Sequence, residues 1–173
     1  MKKIKLRKII TSTLVLALIL ALKPVGANAD TYEEYMTGYK IDNNHQIRFL
    51  KQDETYARSE WIHKVGYSPT WGKYDLWNYF GDDCLRKEEW FNVDGKWYYE
   101  VPYYEGDSGY LGGIAVNREI DGCFLGSDGA MIENSWGTDI NRYWYYAGPD
   151  GKILKNTITP DGYKVDKDGR WIR

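Results

Sequence analysis

The sequence predicts an all-β protein, a solenoid of stacked β-hairpins with short strands and little helix. Three observations predict it. A nine-residue phrase recurs, DGCFLGSDG at 121–129 and DGYKVDKDG at 161–169. Aromatic runs of strand type recur with it, among them KWYYEV and RYWYYA. Glycine recurs too often along the chain for a long helix. Self-similarity at a fixed period is the mark of a repeat architecture, in which each unit buries its apolar face only against a neighbour.

The second Asp-Gly of the phrase serves as an anchor. Gly129 and Gly169 anchor two copies, and WYYAGPDG places a third at Gly151. WNYFGDDC and RFLKQDE add two more, with Cys84 and Glu54 in the place of glycine. WYYEVPYYEGDSG is a sixth, stretched copy anchored at Gly109, and the underlying period is near 20 residues. A second marker keeps step. An apolar residue opens the unit after an anchor: Trp61, Trp90, Val116, Trp136 and Ile158. The flanks TYARSEW, CLRKEEW, AMIENSW and KILKNTI are variants of one line. Each unit reads as a hairpin, with Asp-Gly supplying the positive φ of tight turns. One hairpin is marginal in water, so the phrase is repeated because a single copy does not fold alone.

Residues 1–29 stand apart. MKKIKLRK is a basic head, 9–22 is an apolar run too short to span a bilayer, and Ala27-Asn28-Ala29 fits a cleavage site. This reads as a signal peptide, leaving a short leader at 30–45 and the array at 46–173, with no membrane span in the mature chain. Its removal takes six basic residues and no acid, leaving 17 basic against 25 acidic residues. That balance argues against nucleic acid as a partner. All 28 aromatic residues fall in the remaining 144 positions, about one in five. Such density suits local packing or a binding surface. An exported chain permits a disulfide, and Cys84 and Cys123 would form it; two unpaired thiols are the alternative.

Catalysis is not expected. Only 30–45 lie outside the array, too few for a catalytic domain. The acid pairs Glu33-Glu34, Asp82-Asp83 and Glu88-Glu89 are adjacent in sequence, so a strand points their members to opposite faces. His45 and His63 with the two cysteines follow no compact metal-ligand spacing, and DKDG at 166–169 lacks the later glutamate of a calcium loop. No cofactor or metal is expected.

Trp90 followed by GKWYYEV, then IDGCFLGSDGAMIENSW and ITPDGYKVDKDGRWI, resembles the cell-wall-binding repeats of Gram-positive bacteria, the choline-binding and glucan-binding type. The resemblance covers roughly 46–173. It implies a hairpin solenoid at the cell surface that attaches non-covalently to a wall polymer, either choline-bearing teichoic acid or a glucan. It also implies ligand cages of aromatic side chains between consecutive hairpins. The matching positions are Trp61 with Trp77 and Tyr79, Trp90 with Trp97, and Trp136 with Trp144 and Tyr146, with Tyr163 completing the last cage. Val116 and Ile158 replace Trp, and Phe124 and Leu125 stand where Tyr is usual. The alternative is a secreted, adhesin-like module that binds a protein partner, with Tyr103 and Tyr104 of the insertion 101–107 on a contact loop.

Overall fold

The computed structural model describes residues 37–68, 72–102 and 112–172. The stretch read as a signal peptide, residues 30–36 of the leader, Gly109 and the tyrosines Tyr103 and Tyr104 lie outside the described residues. Twelve strands form six antiparallel hairpins, each a separate two-stranded sheet. The first three are β1 (Tyr39–Ile41) with β2 (Ile47–Phe49), β3 (Glu60–Ser68) with β4 (Gly72–Phe80), and β5 (Glu89–Val93) with β6 (Lys96–Glu100). The last three are β7 (Arg118–Ile120) with β8 (Cys123–Leu125), β9 (Ser135–Thr138) with β10 (Trp144–Ala147), and β11 (Thr157–Ile158) with β12 (Lys164–Val165). The described residues hold no helix. The first hairpin begins at Tyr39, so the array starts inside the stretch read as leader.

Two kinds of turn repeat, and the phrase contains both. Its first Asp-Gly is the hairpin tip: Asp121 and Gly122 have φ of +51° and +84°, as Asp94 and Gly95 have +51° and +83°. Its second Asp-Gly lies past the hairpin, where the chain leaves it. There the N–H of Gly81, Gly126 and Gly148 donates to the carbonyl four residues on, at Leu85, Ala130 and Lys152. The residue before that carbonyl is the anchor, at positive φ: Cys84 +60°, Gly129 +78° and Gly151 +75°. The aspartate before the anchor accepts the N–H after it: Asp83 from Leu85, Asp128 from Ala130 and Asp150 from Lys152. Aspartate stabilises such a turn through its own side chain, which explains why Cys84 and Glu54 (+63°) stand in for glycine. In the stretched unit the same bond runs from Val101 N–H to Gly113 O, and Gly112 carries the positive φ of +67°. Among the described residues Gly112 therefore takes the anchor's place; Gly109 lies outside them.

Each exit segment then bonds two hairpins. It returns to its own second strand, with Lys87 N–H donating to Tyr79 O, Ile132 to Phe124 and Leu154 to Tyr146. It also reaches back to the preceding hairpin, with Ile114 donating to Trp77 O, Met131 to Trp97 O, Ile153 to Gly122 O and Trp171 to Trp144 O. This double attachment stacks the hairpins. It also shows why three anchors must be glycine. A Cβ on Gly129, Gly151 or Gly169 would fall 2.2–2.4 Å from Ile114, Met131 or Ile153, the residues that made those backward bonds.

Apolar burial is local. Tyr39, Ile47, Ala57, Leu76 and Phe80 form one core between the first two hairpins. Phe124, Tyr145, Ala147 and Ile153 form another between the fourth and fifth. A buried polar cluster joins the first three hairpins. Tyr39 O–H donates to Asn78 Oδ1 (2.5 Å), Asn78 Nδ2 donates to Glu100 Oε1 (2.5 Å), and Tyr79 N–H donates to Glu100 Oε2 (3.1 Å). Arg86 Nε lies 3.4 Å from Glu100 Oε1, and Arg86 Nη2 donates to Glu88 (2.5 Å). Burial pushes the Glu100 carboxyl up to about 8, with the Arg86 guanidinium pulling the other way.

Of the two readings of the cysteines, the structure has the unpaired one. Cys84 and Cys123 are both free thiols. Cys84 sits in the exit turn of the second hairpin, while Cys123 opens β8 of the fourth, facing the Asp150 carbonyl at 3.9 Å. The third hairpin separates the two units in the stack.

Candidate functional site

Strand register decides which aromatics share a face. Trp61 lies opposite Tyr79 and His63 opposite Trp77. Trp90 lies opposite Tyr99 and Asn92 opposite Trp97. Trp136 lies opposite Tyr146 and Thr138 opposite Trp144. Residues two apart on a strand face the same way. Each pair of tryptophans therefore shares one face of its own hairpin, set diagonally, with a tyrosine beside the first. Glu119 fills the first tryptophan's position in the fourth hairpin, opposite Phe124, and Ile158 fills it in the sixth, opposite Lys164. Val116 thus does not open the fourth hairpin; it lies before β7 and lines the pocket over Trp61 and Trp77.

The last junction is the most complete. Trp136, Trp144, Tyr163, Trp171 and Asp161 line a pocket of about 340 Å³. Trp136 and Trp144 come from the fifth hairpin, Tyr163 precedes β12 and Trp171 lies in the segment beyond it. Ring centroids are 5.9 Å apart for Trp136–Tyr163, 6.5 Å for Trp136–Trp171 and 5.8 Å for Tyr163–Trp171. Interplanar angles of 79°, 63° and 86° set the three rings as walls around a space, not as a stack. Trp144 and Tyr163 remain 44% and 48% exposed, so the space is open to solvent. Tyr146 backs Trp136 at 5.3 Å and is buried, outside the pocket lining.

One carboxylate enters this pocket from the turn before β12. Asp161 Oδ2 accepts the Trp136 indole N–H (2.7 Å), and Oδ1 accepts the Thr159 hydroxyl (2.5 Å). The Thr159 hydroxyl, then the Trp136 indole, hold the Asp161 carboxyl below its ordinary range, so it is an anion at neutral pH.

The second junction is similar in plan. Trp61, Trp77 and Tyr98 line a pocket with Ile114, Val116, Ser127 and Asp128, of about 330 Å³. Trp61 meets Trp77 at 6.5 Å and Tyr98 at 5.0 Å, and Tyr79 backs Trp61 at 5.0 Å. His63 stacks on Trp77 (4.1 Å, 8°) and bonds Asp75 through Nε2 (2.7 Å), covering one face of that indole. At the third junction Trp90 packs on Tyr99 at 5.4 Å, and its indole donates to Asp121 (2.9 Å). Trp97 lies diagonally from Trp90, 45% exposed. The residue that bonds back to the preceding tryptophan is Ile114 at the second junction, Met131 at the third and Trp171 at the last.

Sequence reasoning missed Trp171 and Asp161. Trp171 stands two residues after Gly169, as Met131 stands after Gly129 and Ile153 after Gly151, so its position was available from the anchors. Asp161 was read as half of a turn, and nothing in the sequence tells that its side chain meets an indole from another unit.

Residues 140–171 match the choline-binding repeat. That match spans Trp144, Tyr163, Asp161 and Trp171 of the last junction. Among solved structures, the chain is similar to the modular autolysin LytC of Streptococcus pneumoniae, at 22% identity and a TM-score of 0.45, over 79% of this chain and 34% of that one. It is similar to choline-binding protein F of the same organism, at 22% identity and a TM-score of 0.42, over 79% and 48%. It is also similar to the choline-binding domain of CbpL of that organism, at 22% identity and a TM-score of 0.34, over 79% and 97%. The chain thus spans a third to a half of the length of the first two. No curated protein matches the chain.

Proposed function

We propose that this is a secreted, non-catalytic protein that attaches to choline-bearing polymer of a bacterial envelope. The observation that carries the reading is the last junction, where three rings face one space beside an ionised carboxylate and the sequence there matches the choline-binding repeat. A quaternary ammonium over an aromatic face gains about 0.5–2 kcal/mol per ring. Three rings supply a few kcal/mol gross, against about 4 kcal/mol for a millimolar dissociation constant. One cage is therefore weak. Several on one chain, meeting a polymer with many copies of the ligand, hold through effective concentration.

The test is a tryptophan-fluorescence titration of the protein with choline and, separately, with an α-glucan oligosaccharide. Saturation by choline in the millimolar range, with no response to the saccharide, is expected. A response to saccharide alone would make the rings sugar platforms. Silence toward both, with no sedimentation on cell walls, would reduce the rings to packing and end the attachment reading.

A further inference from the structure

Resting on the cation-cage reading of the last junction, we propose that Asp161 makes this cage selective for charge, and that the junctions of the array are not equivalent because of it. Three features distinguish this carboxylate. It lines the pocket and is not merely nearby. Its position is fixed at both oxygens, by the Trp136 indole and the Thr159 hydroxyl. And it has no ion-pair partner among the described residues, so no described lysine or arginine compensates its charge at the pocket.

The second and third junctions show the contrast. Asp128 lines the pocket of the second junction, but Lys96 Nζ lies 3.8 Å from its Oδ2, and its Oδ1 caps the Ala130 N–H. Asp121 at the third junction accepts the Trp90 indole much as Asp161 accepts Trp136. There, however, Cys123 stands two residues after the aspartate where Tyr163 stands at the last, and Met131 holds the position of Trp171. Of these three junctions, the last joins a full set of rings to a carboxylate without an ion-pair partner among the described residues.

A ring face attracts a cation through its quadrupole, but it also accepts a neutral alkyl group of the same shape through dispersion. A carboxylate separates the two. It attracts the cation and gains nothing from a neutral group that brings no hydrogen-bond donor to it. Because the site is open, solvent and salt weaken the attraction, and the effect is a modest factor.

The substitution Asp161→Asn removes the charge and preserves the geometry. The amide oxygen still accepts the Trp136 indole, and the amide nitrogen donates to the Thr159 oxygen. The Thr159 proton then turns to the Tyr163 carbonyl, already 3.1 Å away. The measurement is a titration of the whole chain, wild type and D161N, with choline and with 3,3-dimethylbutan-1-ol, its neutral carbon isostere. The indole N–H resonances of Trp136 and Trp171 report this junction apart from the others. In D161N the choline affinity should fall by about fivefold, the scale of one exposed charge pair, while isostere affinity stays within about twofold. The wild-type preference for choline should also shrink from 50 mM to 500 mM NaCl, with isostere binding unmoved, a readout that needs no variant. Equal weakening of both ligands in D161N would show that Asp161 only positions Trp136, and would overturn the proposal. An unchanged ratio, or a salt-independent preference, would overturn it as well. If the wild-type resonances respond to neither ligand, the cage reading itself fails, which is a separate result.

Discussion

Each tryptophan of the last junction has a different kind of support. Trp136 is held at its edge by Asp161 and backed by Tyr146. Trp171 is held by its backbone, through the N–H bond to the Trp144 carbonyl at 2.9 Å. A substitution of its side chain leaves that backbone bond in place. Replacing Trp171 by Met, the residue that makes the same backward bond at the third junction, should weaken choline at the Trp136 resonance by about three- to tenfold, the contribution of one ring. A variant with undiminished affinity would take Trp171 out of the cage. Trp136 and Trp144 were legible as a pair, because register alone puts them on one side, whereas Trp171 was missed. Whether a ring lines a space or backs another ring was not legible. Tyr146 and Tyr163 are both tyrosines near a strand, and only the packing of consecutive hairpins separates their roles.

At the scale of a hairpin, two classes of glycine follow from where Cβ would point. Gly162 and Gly122 lie at hairpin tips with φ of +91° and +84°, and a Cβ there meets nothing within 4 Å. Gly151 has a φ of +75°, and a Cβ there falls 2.4 Å from the Met131 sulfur. Alanine at Gly162 should therefore cost only backbone strain, about 1 kcal/mol. Alanine at Gly151 also forces the Met131 side chain aside and should cost more, about 2 kcal/mol. Urea unfolding of the two variants checks this; equal midpoints would deny the seat its role. The phrase Asp-Gly was legible as a turn signal in both places, yet its two copies do different work. That difference lies in contacts between units, which one unit's sequence does not carry. The stretched unit went astray for a related reason: its anchor was placed at Gly109 by counting, whereas the hydrogen bond closes at Gly113 and puts Gly112 in the anchor's conformation.

Across the whole molecule, the two ends are held together differently. The fourth and fifth hairpins share an apolar core, whereas the first three also share the buried cluster of Tyr39, Asn78, Arg86 and Glu100. Glu100 titrates in the folded protein at about 8, above the 4.5 of a free glutamate. The folded state holds this proton where the unfolded state has released it. Its contribution to stability is complete below about pH 4.5 and is lost as pH rises toward 8. Calorimetry from pH 5 to 9 should show the melting temperature of the wild type falling over that interval. Glu100→Gln, which cannot ionise, should flatten this part of the profile. Identical slopes in the two proteins would remove Glu100 as the titrating group. This cluster was not legible at all. Asn78, Arg86 and Glu100 sit in stretches that read as turn and strand surface, and their burial arises only when three hairpins stack.

The exit segment of a hairpin usually returns to its own strand after eight residues, as from Tyr79 to Lys87, Phe124 to Ile132, and Tyr146 to Leu154. In the third hairpin the return runs from Tyr99 to Ala115, and the turn is closed at its base by Val101 and Gly113. The bonds from Val101 to Gly113 and from Ala115 to Tyr99 keep the rungs on either side in register. This makes the base at Val101 and Gly113 a splice port. The aromatic faces of the neighbouring hairpins are joined by bonds on either side of it, from Ile114 to Trp77 and from Met131 to Trp97.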